Sequence, residues 1–247
     1  MDEIVFKEAL INPKAWKGAP KLDSLTVMCA VRPDTKDLVA GLGLKMEQHL
    51  PMNKAYFNKN GQGGCVAGPM MGAPYAAYVM ENLIAWGAKK IVFLGWCGSI
   101  SSDLHIGDVI VPDSAFVDEG TSVHYSHREI GTIIRSFPDE NLAGELTSAL
   151  DDAGIGHSRG PVWTTDAIYR ETPEQIEHFS WQGAKAVDME LSALQTVAHF
   201  RQVALCGLLM VSDELHSGKW KPGFADPRFQ ETRKKTIEAL CRICQAT

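Results

Sequence analysis

The chain has 247 residues, a length that suits one large α/β domain, and its 45% hydrophobic content is typical of a globular protein. Its formal net charge of −6 argues against a protein that binds nucleic acid through the phosphate backbone, because such proteins need a basic face. No apolar run approaches the ~18 residues that span a bilayer, and the acidic N-terminus lacks the pattern of a signal peptide. We therefore expect a cytoplasmic protein that contacts no membrane.

Predicted strands and helices alternate along the chain after an N-terminal extension over residues 1–20. The predicted strands cover residues 25–31, 63–68, 91–94, 108–111, 157–162, 186–188 and 203–211. The predicted helices cover residues 75–86, 142–150, 173–179, 189–200 and 228–244. The strands are apolar runs without alternation, which is typical of a sheet covered by helices on both faces. We expect one α/β domain over residues 1–247, without a linker or an internal repeat.

The six cysteines do not indicate a metal site. Four of them lie in apolar runs, where a free cysteine behaves as a small buried hydrophobe. Cys241 and Cys244 form a Cys-x-x-Cys pair, but it lies inside a predicted helix and has no second pair to complete four zinc ligands. We expect no metal and no redox cofactor.

Acidic side chains follow two of the apolar strands, and in α/β folds ligands bind at the carboxyl ends of strands. Glu190 follows the strand at 186–188, and Asp213 follows the strand at 203–211. Each has an ordinary alternative, because a carboxylate also stabilises a helix N-terminus and Asp is a common N-cap. Two acids after two strands could instead converge on one pocket.

Six short segments carry a family resemblance. They are Gly-Pro-Met-Met-Gly-Ala-Pro at 68–74, Ile-Val-Phe-Leu-Gly-Trp-Cys-Gly-Ser at 91–99, Gly-Asp-Val-Ile-Val at 107–111, Thr-Asp-Ala-Ile-Tyr at 165–169, Val-Asp-Met-Glu at 187–190 and Val-Ser-Asp at 211–213. Their order and spacing resemble the nucleoside phosphorylase superfamily, in the branch of bacterial purine nucleoside phosphorylases, uridine phosphorylases and methylthioadenosine nucleosidases. The resemblance implies a three-layer α/β/α domain with a mixed, partly barrel-like central sheet. It also implies cleavage of an N-glycosidic bond, with inorganic phosphate as a possible co-substrate and no cofactor.

The resemblance implies roles for individual residues at the sugar and the base. Glu190 matches the glutamate that binds the ribose hydroxyls, and Met189 matches the residue under the ribose ring. Asp213 matches the acid that protonates purine N7, and Arg228, 15 residues later, matches the arginine that pairs with this acid. Arg228 has an alternative as a solvated charge at a helix start. The other expected substrate contacts are Met71, Trp96, Cys97, Gly98, Ser212 and Ile168, the last at a position where the family usually has Phe.

The base is expected to be a purine. Uridine phosphorylases read uracil with a Gln and an Arg in the loop after the Thr-Asp-x-x-Tyr segment. In this chain Arg170 and Gln175 do not fall at that spacing.

The phosphate site departs from the family. Val31 and Thr35 stand where the family has a Gly and an Arg, Phe93 replaces a second Arg, and Trp96 replaces a Ser or Thr. A dianion needs cations or N–H donors, which these side chains largely lack. Two alternatives remain open: other cations hold the phosphate, or water activated by Asp34 is the acceptor. Asp34 also fits an ordinary turn after Pro33. The candidate cations are Arg32, Lys36, His124, His127 and Arg128.

The sequence therefore predicts a nucleoside phosphorylase-like enzyme of purine nucleoside salvage, with phosphate as acceptor. A hydrolytic nucleosidase is the alternative, and a nucleoside-binding protein without turnover is the second alternative. We expect a homo-oligomer built from dimers, with a trimer of dimers as the first candidate for the full assembly, in which His124 reaches the ribose 5′ end across a subunit boundary. The expected partners are a small-molecule nucleoside and further copies of the chain.

Overall fold

The computed structural model describes residues 9–15, 17, 19–58, 64–126 and 134–246. The strands are β1 (Thr26–Cys29), β2 (Met46–Leu50), β3 (Asn53–Phe57), β4 (Cys65–Gly68), β5 (Lys90–Ser99), β6 (Val109–Asp118), β7 (Ile134–Ser136), β8 (His157–Thr165), β9 (Ala186–Asp188), β10 (Ala204–Glu214) and β11 (Lys221–Pro222). The helices are α1 (Arg32–Gly41), α2 (Ala73–Ala85), α3 (Val123–Ser126), α4 (Glu140–Asp152), α5 (Pro173–Trp181), α6 (Leu191–Arg201) and α7 (Pro227–Ala246). A 3₁₀ turn covers Ile168–Arg170.

The strands form one mixed sheet in the order β11-β10-β6-β8-β9-β5-β1-β4-β3-β2, with β7 beside β6. An additional pairing joins β10 to β5 in parallel, so β5, β10, β6, β8 and β9 close into a ring. The other strands continue the sheet outward from β5 in the order β1, β4, β3 and β2. The predicted mixed, partly barrel-like sheet is confirmed.

Helices cover both faces of the sheet, which explains the apolar strands. Along β5, Ile91 and Phe93 pack in one core with α2 and α6, whereas Val92 and Leu94 pack in a second core with α1, α4 and α7. Successive strand residues point to opposite faces, so both sets must be apolar. None of the described helices combines the length and the apolar character that a membrane span requires.

The structure corrects three predictions of local structure. β5 and β10 continue beyond their predicted ends at 94 and 211, β5 through residues 95–98 and β10 through Ser212 and Asp213. Both extensions occur because β5 and β10 pair along their whole length, with one irregularity between Val211 and Asp213. Residues 32–41 form α1 rather than a loop, since proline is well suited to the first turn of a helix. The β2–β3 hairpin was not predicted.

Candidate active site

A cavity of about 530 Å³ lies at the carboxyl ends of β1, β4, β5, β9 and β10. Its lining is mostly apolar with a few polar groups, which is typical of a site for a small molecule. The lining includes nine of the residues predicted to form the site: Met71, Trp96, Cys97, Gly98, Ile168, Met189, Glu190, Ser212 and Asp213. The topology therefore brings most of the predicted substrate contacts together.

Glu190 lies between β9 and α6 and is only 5% exposed. Its Oε1 accepts a hydrogen bond of 2.6 Å from the backbone N–H of Gly72, which has a φ of +84° at the N-terminus of α2. Burial and the charge of Asp188 raise the pKa of Glu190 to about 8. Because a nearby positive charge would favour the ionised form, this carboxyl is suited to a ligand that presents hydroxyl groups and develops positive charge.

Asp188 is a buried carboxylate that the sequence analysis did not assign a role. It accepts hydrogen bonds from Thr164 Oγ1 at 2.5 Å and from the backbone N–H groups of Glu190 and Leu191 at 3.0 and 2.7 Å. Burial raises its pKa to about 6 although these hydrogen bonds oppose the shift. Asp188 thus holds the chain turn that presents Glu190 to the cavity.

Asp213 lies on β10 with both carboxylate oxygens occupied by donors. Ser212 Oγ donates to Oδ1 at 2.6 Å, and Trp220 Nε1 donates to Oδ2 at 3.0 Å. Burial raises the Asp213 pKa, while both hydrogen bonds act in the opposite direction. The carboxylate is close to Gly98 on β5, where an added Cβ would lie 3.1 Å from Oδ2 and would overlap Leu215. Gly98 therefore leaves the space that Asp213 needs.

The structure does not place Arg228 beside Asp213. Arg228 follows the first residue of α7, and its guanidinium pairs with Asp108. The reason is local packing, because α7 begins against the turn at Gly107, where an added Cβ would lie 2.8 Å from Arg228 Cγ. The partner of Asp213 that the sequence did not predict is Trp220. The only signal for it in the sequence is an aromatic side chain in the otherwise polar segment 216–221.

Asp34 lies behind the cavity wall. This position corrects both of its expected roles, the activation of water and a place in an ordinary turn after Pro33. It is 0% exposed, it belongs to α1 rather than to a turn, and it is not among the residues that line the cavity. Trp96 Nε1 donates to its Oδ2 at 2.9 Å, and Arg233 Nε of α7 donates to its Oδ1 at 2.5 Å. With both oxygens occupied, Asp34 is not placed to activate water in the cavity.

Aromatic rings form the cavity wall in front of Asp34. The Trp96 ring packs edge-on against Phe229 at 5.0 Å and stacks on Phe224 at 6.0 Å between ring centroids. Trp220 lies 6.3 Å from Phe224 and continues the same cluster. Phe93 is completely buried in the core and does not line the cavity, contrary to its expected place in the phosphate site.

The predicted cations lie away from the cavity. Of the residues that the structure describes, no Lys, Arg or His lines it. Arg32 and Thr35 line a different, open groove of about 880 Å³ between α1 and the β2–β3 hairpin, together with Lys36, Lys45, His49 and Lys54. His124 is exposed on α3 and does not line the cavity, while His127 and Arg128 lie outside the described residues.

The ion pair between Asp34 and Arg233 leads to a prediction about stability. Asp34→Asn should lower the free energy of unfolding by about 2 kcal/mol, less than the ~3–5 kcal/mol typical of a broken buried pair, because Arg233 keeps its bond to Asp37. Urea unfolding measures this difference. Asp37→Asn is the matched control, since Asp37 is 53% exposed and should contribute less than ~1 kcal/mol. Equal losses for the two variants would contradict the importance of burial at Asp34.

Comparisons with known proteins place this geometry in a family. A sequence model described as the phosphorylase superfamily matches residues 27–247. The chain is 26% identical to a guanosine phosphorylase of Halorubrum lacusprofundi over 223 residues, which cover 90% of this chain and 86% of that protein. The fold is similar to a purine nucleoside phosphorylase of Toxoplasma gondii in complex with immucillin-H, at 20% identity, with a TM-score of 0.78 and 98% of each chain covered. It is also similar to a 5′-methylthioadenosine/S-adenosylhomocysteine nucleosidase of Campylobacter jejuni, at 17% identity, with a TM-score of 0.76 and coverage of 91% of this chain and 99% of that one. Because the match extends over most of the sequence, the chain belongs to the phosphorylase superfamily, as its ordered motifs predicted.

Proposed function

We propose that this protein cleaves the N-glycosidic bond of a purine nucleoside, with phosphate as the acceptor and without a cofactor. The observation that carries the proposal is the presence of Glu190 and Asp213 in one largely apolar cavity at the carboxyl ends of the strands. The similarity of the chain to a guanosine phosphorylase supports a purine as the base of the substrate.

Each side chain has a distinct task in the proposed reaction. Glu190 binds the ribose hydroxyls, and its carboxyl stabilises the positive charge that develops on the sugar as the bond to the base breaks. Met189 and Met71 provide soft, apolar contacts to the flattened sugar ring. Asp213 faces the base and takes part in its protonation, which prevents the base from leaving as an anion.

The acceptor is the least typical part of the site. Phosphate is the first candidate because the chain belongs to the phosphorylase superfamily and is similar to a guanosine phosphorylase. Water is the second candidate, favoured by one specific observation. Asp188, Glu190, Asp213 and Glu171 line the cavity, and none of its described lining residues is a cation, so a dianion there would be poorly compensated.

Product analysis distinguishes the two acceptors. We expect guanosine to be cleaved faster as phosphate is added, with ribose 1-phosphate as the sugar product, and the unmodified enzyme in phosphate-free buffer is the reference. Release of free ribose at a rate that does not depend on phosphate would replace phosphorolysis with hydrolysis.

We further propose a homo-oligomer built from dimers, located in the cytoplasm and serving nucleoside salvage. Large apolar side chains are exposed near the β2–β3 hairpin and on α2 and α6, including Met52, Tyr78 and Phe200. Burial of such side chains against a second copy is energetically favourable. Sedimentation that shows a fully active monomer would contradict this proposal.

A further inference from the structure

Glu171 is a carboxyl group in the cavity that the family resemblance leaves without a role. It lies between the 3₁₀ turn at Ile168–Arg170 and Thr172, which caps α5. Its side chain is half-buried and lines the cavity together with Asp213. No other described side chain or backbone group forms a hydrogen bond or ion pair with its carboxyl oxygens.

Glu171 and Asp213, two acids that line the cavity, differ in what surrounds them. Asp213 accepts one hydrogen bond on each oxygen, from Ser212 and from Trp220, and such donors stabilise its charged form. Glu171 has no comparable donor and is surrounded by a mostly apolar lining, which favours its neutral form. Of the two carboxyl groups, Glu171 is therefore the one whose surroundings favour the protonated form.

We propose that Glu171 and Asp213 form a carboxyl pair that holds one proton for the departing base, and that Glu171 is the member that carries it before the reaction. The proposal rests on the purine nucleoside activity proposed above and names a further proton-donating residue for it. Asp213 is the charged member, held in place by Ser212 and Trp220.

Electrostatics agree with this assignment. Burial, with a further contribution from the charge of Asp213, raises the pKa of Glu171 to about 7. The other titratable groups that line the cavity are Cys97 on β5, Tyr169 in the 3₁₀ turn, and Asp188 and Glu190 at the end of β9; Arg170 and Glu174 flank Glu171 along the chain. Of all these groups, Asp213 is the one whose charge acts on Glu171. The group is protonated below this pKa, so the proton is lost as the pH rises through about 7.

Protonation of the base accompanies the cleavage of the glycosidic bond. As the bond between C1′ and N9 breaks, its electron pair moves into the purine, and the proton of the pair moves to N7. The base leaves neutral, and the pair is left with both carboxylates charged. The acceptor, phosphate or water, forms the new bond to C1′, and the pair takes up a proton from solvent once the base has departed.

The test compares guanosine with 7-methylguanosine, whose N7 is already alkylated and needs no proton. Glu171→Gln should lower kcat/KM for guanosine by ~100-fold at neutral pH but change it less than about threefold for 7-methylguanosine. Glu171→Asp should recover much of the loss. The matched control is Glu174→Gln, an exposed position three residues along the same segment and outside the cavity, and it should leave both substrates unchanged.

A second measurement needs no turnover. Proton uptake by the unliganded protein should include one group with a midpoint near pH 7 that is absent in Glu171→Gln. Equal losses on both substrates, no loss on guanosine, or the same proton uptake in Glu171→Gln and the unmodified protein would each overturn the proposal. If the unmodified enzyme cleaves neither nucleoside, the proposed function fails, whereas the titration still decides whether Glu171 carries the proton.

Discussion

Glu190→Ala should lower kcat/KM for a purine nucleoside by at least ~100-fold, since contacts that strengthen in the transition state contribute on this scale. Glu190 is nearly completely buried at the cavity wall and is held by the Gly72 N–H, so few other groups are placed to replace it. Steady-state kinetics with guanosine measure the effect. The loss should appear in kcat as well as in KM, because the carboxyl stabilises charge that develops only as the bond breaks.

Glu47→Gln is the control for this variant. Glu47 is an exposed glutamate on β2 that pairs with Lys54 and does not line the cavity. Its replacement should leave kcat/KM unchanged. A Glu190→Ala enzyme that folds and keeps full kcat/KM would remove Glu190 from the sugar site.

Asp213→Asn should lower kcat for guanosine by ~100-fold or more, within the range typical of a lost acid–base group. The amide matches the carboxylate in size, so the protein should fold with nearly the same melting temperature. The effect on 7-methylguanosine should be much smaller, because this substrate does not need protonation at N7.

The pH dependence supplies a further check on Asp213. Its charge helps to raise the pKa of Glu171, so its replacement should move the loss of activity with rising pH to lower pH. Asp103→Asn, at an exposed loop position after β5, is the control and should behave like the unmodified enzyme. Unchanged kcat for guanosine in Asp213→Asn would exclude Asp213 from proton transfer.

The positions of β1, β4 and β9 were predictable because these strands are buried along their whole length, whereas the largely exposed β2 was not predicted. The run at 186–188 predicted β9 at its observed bounds, which places Glu190 directly after a strand end. The ordered motifs indicated Cys97, Gly98 and Asp213 as site residues, and these lie near the carboxyl ends of β5 and β10 in the cavity lining. These predictions depended on local pattern and on chain order, both of which the sequence contains.

The partners of charged side chains were not predictable in the same way. Asp34 is buried because α7 packs on α1 and brings Arg233 to it from 199 positions along the chain. No local pattern contains that contact, so Pro33-Asp34 resembled an ordinary turn. For Arg228 the family resemblance implied a partner that the structure does not show. The resemblance implied an ion pair with Asp213, but Arg228 lies at the start of α7 and pairs with Asp108. Glu171 was missed because an acid in a polar loop usually lies at the surface.

A purine nucleoside should bind in the cavity with its ribose on Glu190 and its base beside Glu171 and Asp213. A crystal structure with a purine C-nucleoside, whose carbon–carbon link to the sugar cannot be cleaved, tests this directly. We predict that the 2′- and 3′-hydroxyls lie within hydrogen-bonding distance of Glu190 and that the purine N7 faces the Glu171–Asp213 pair. A nucleoside bound instead in the groove between α1 and the β2–β3 hairpin, or one with its base at Glu190, would contradict this binding mode.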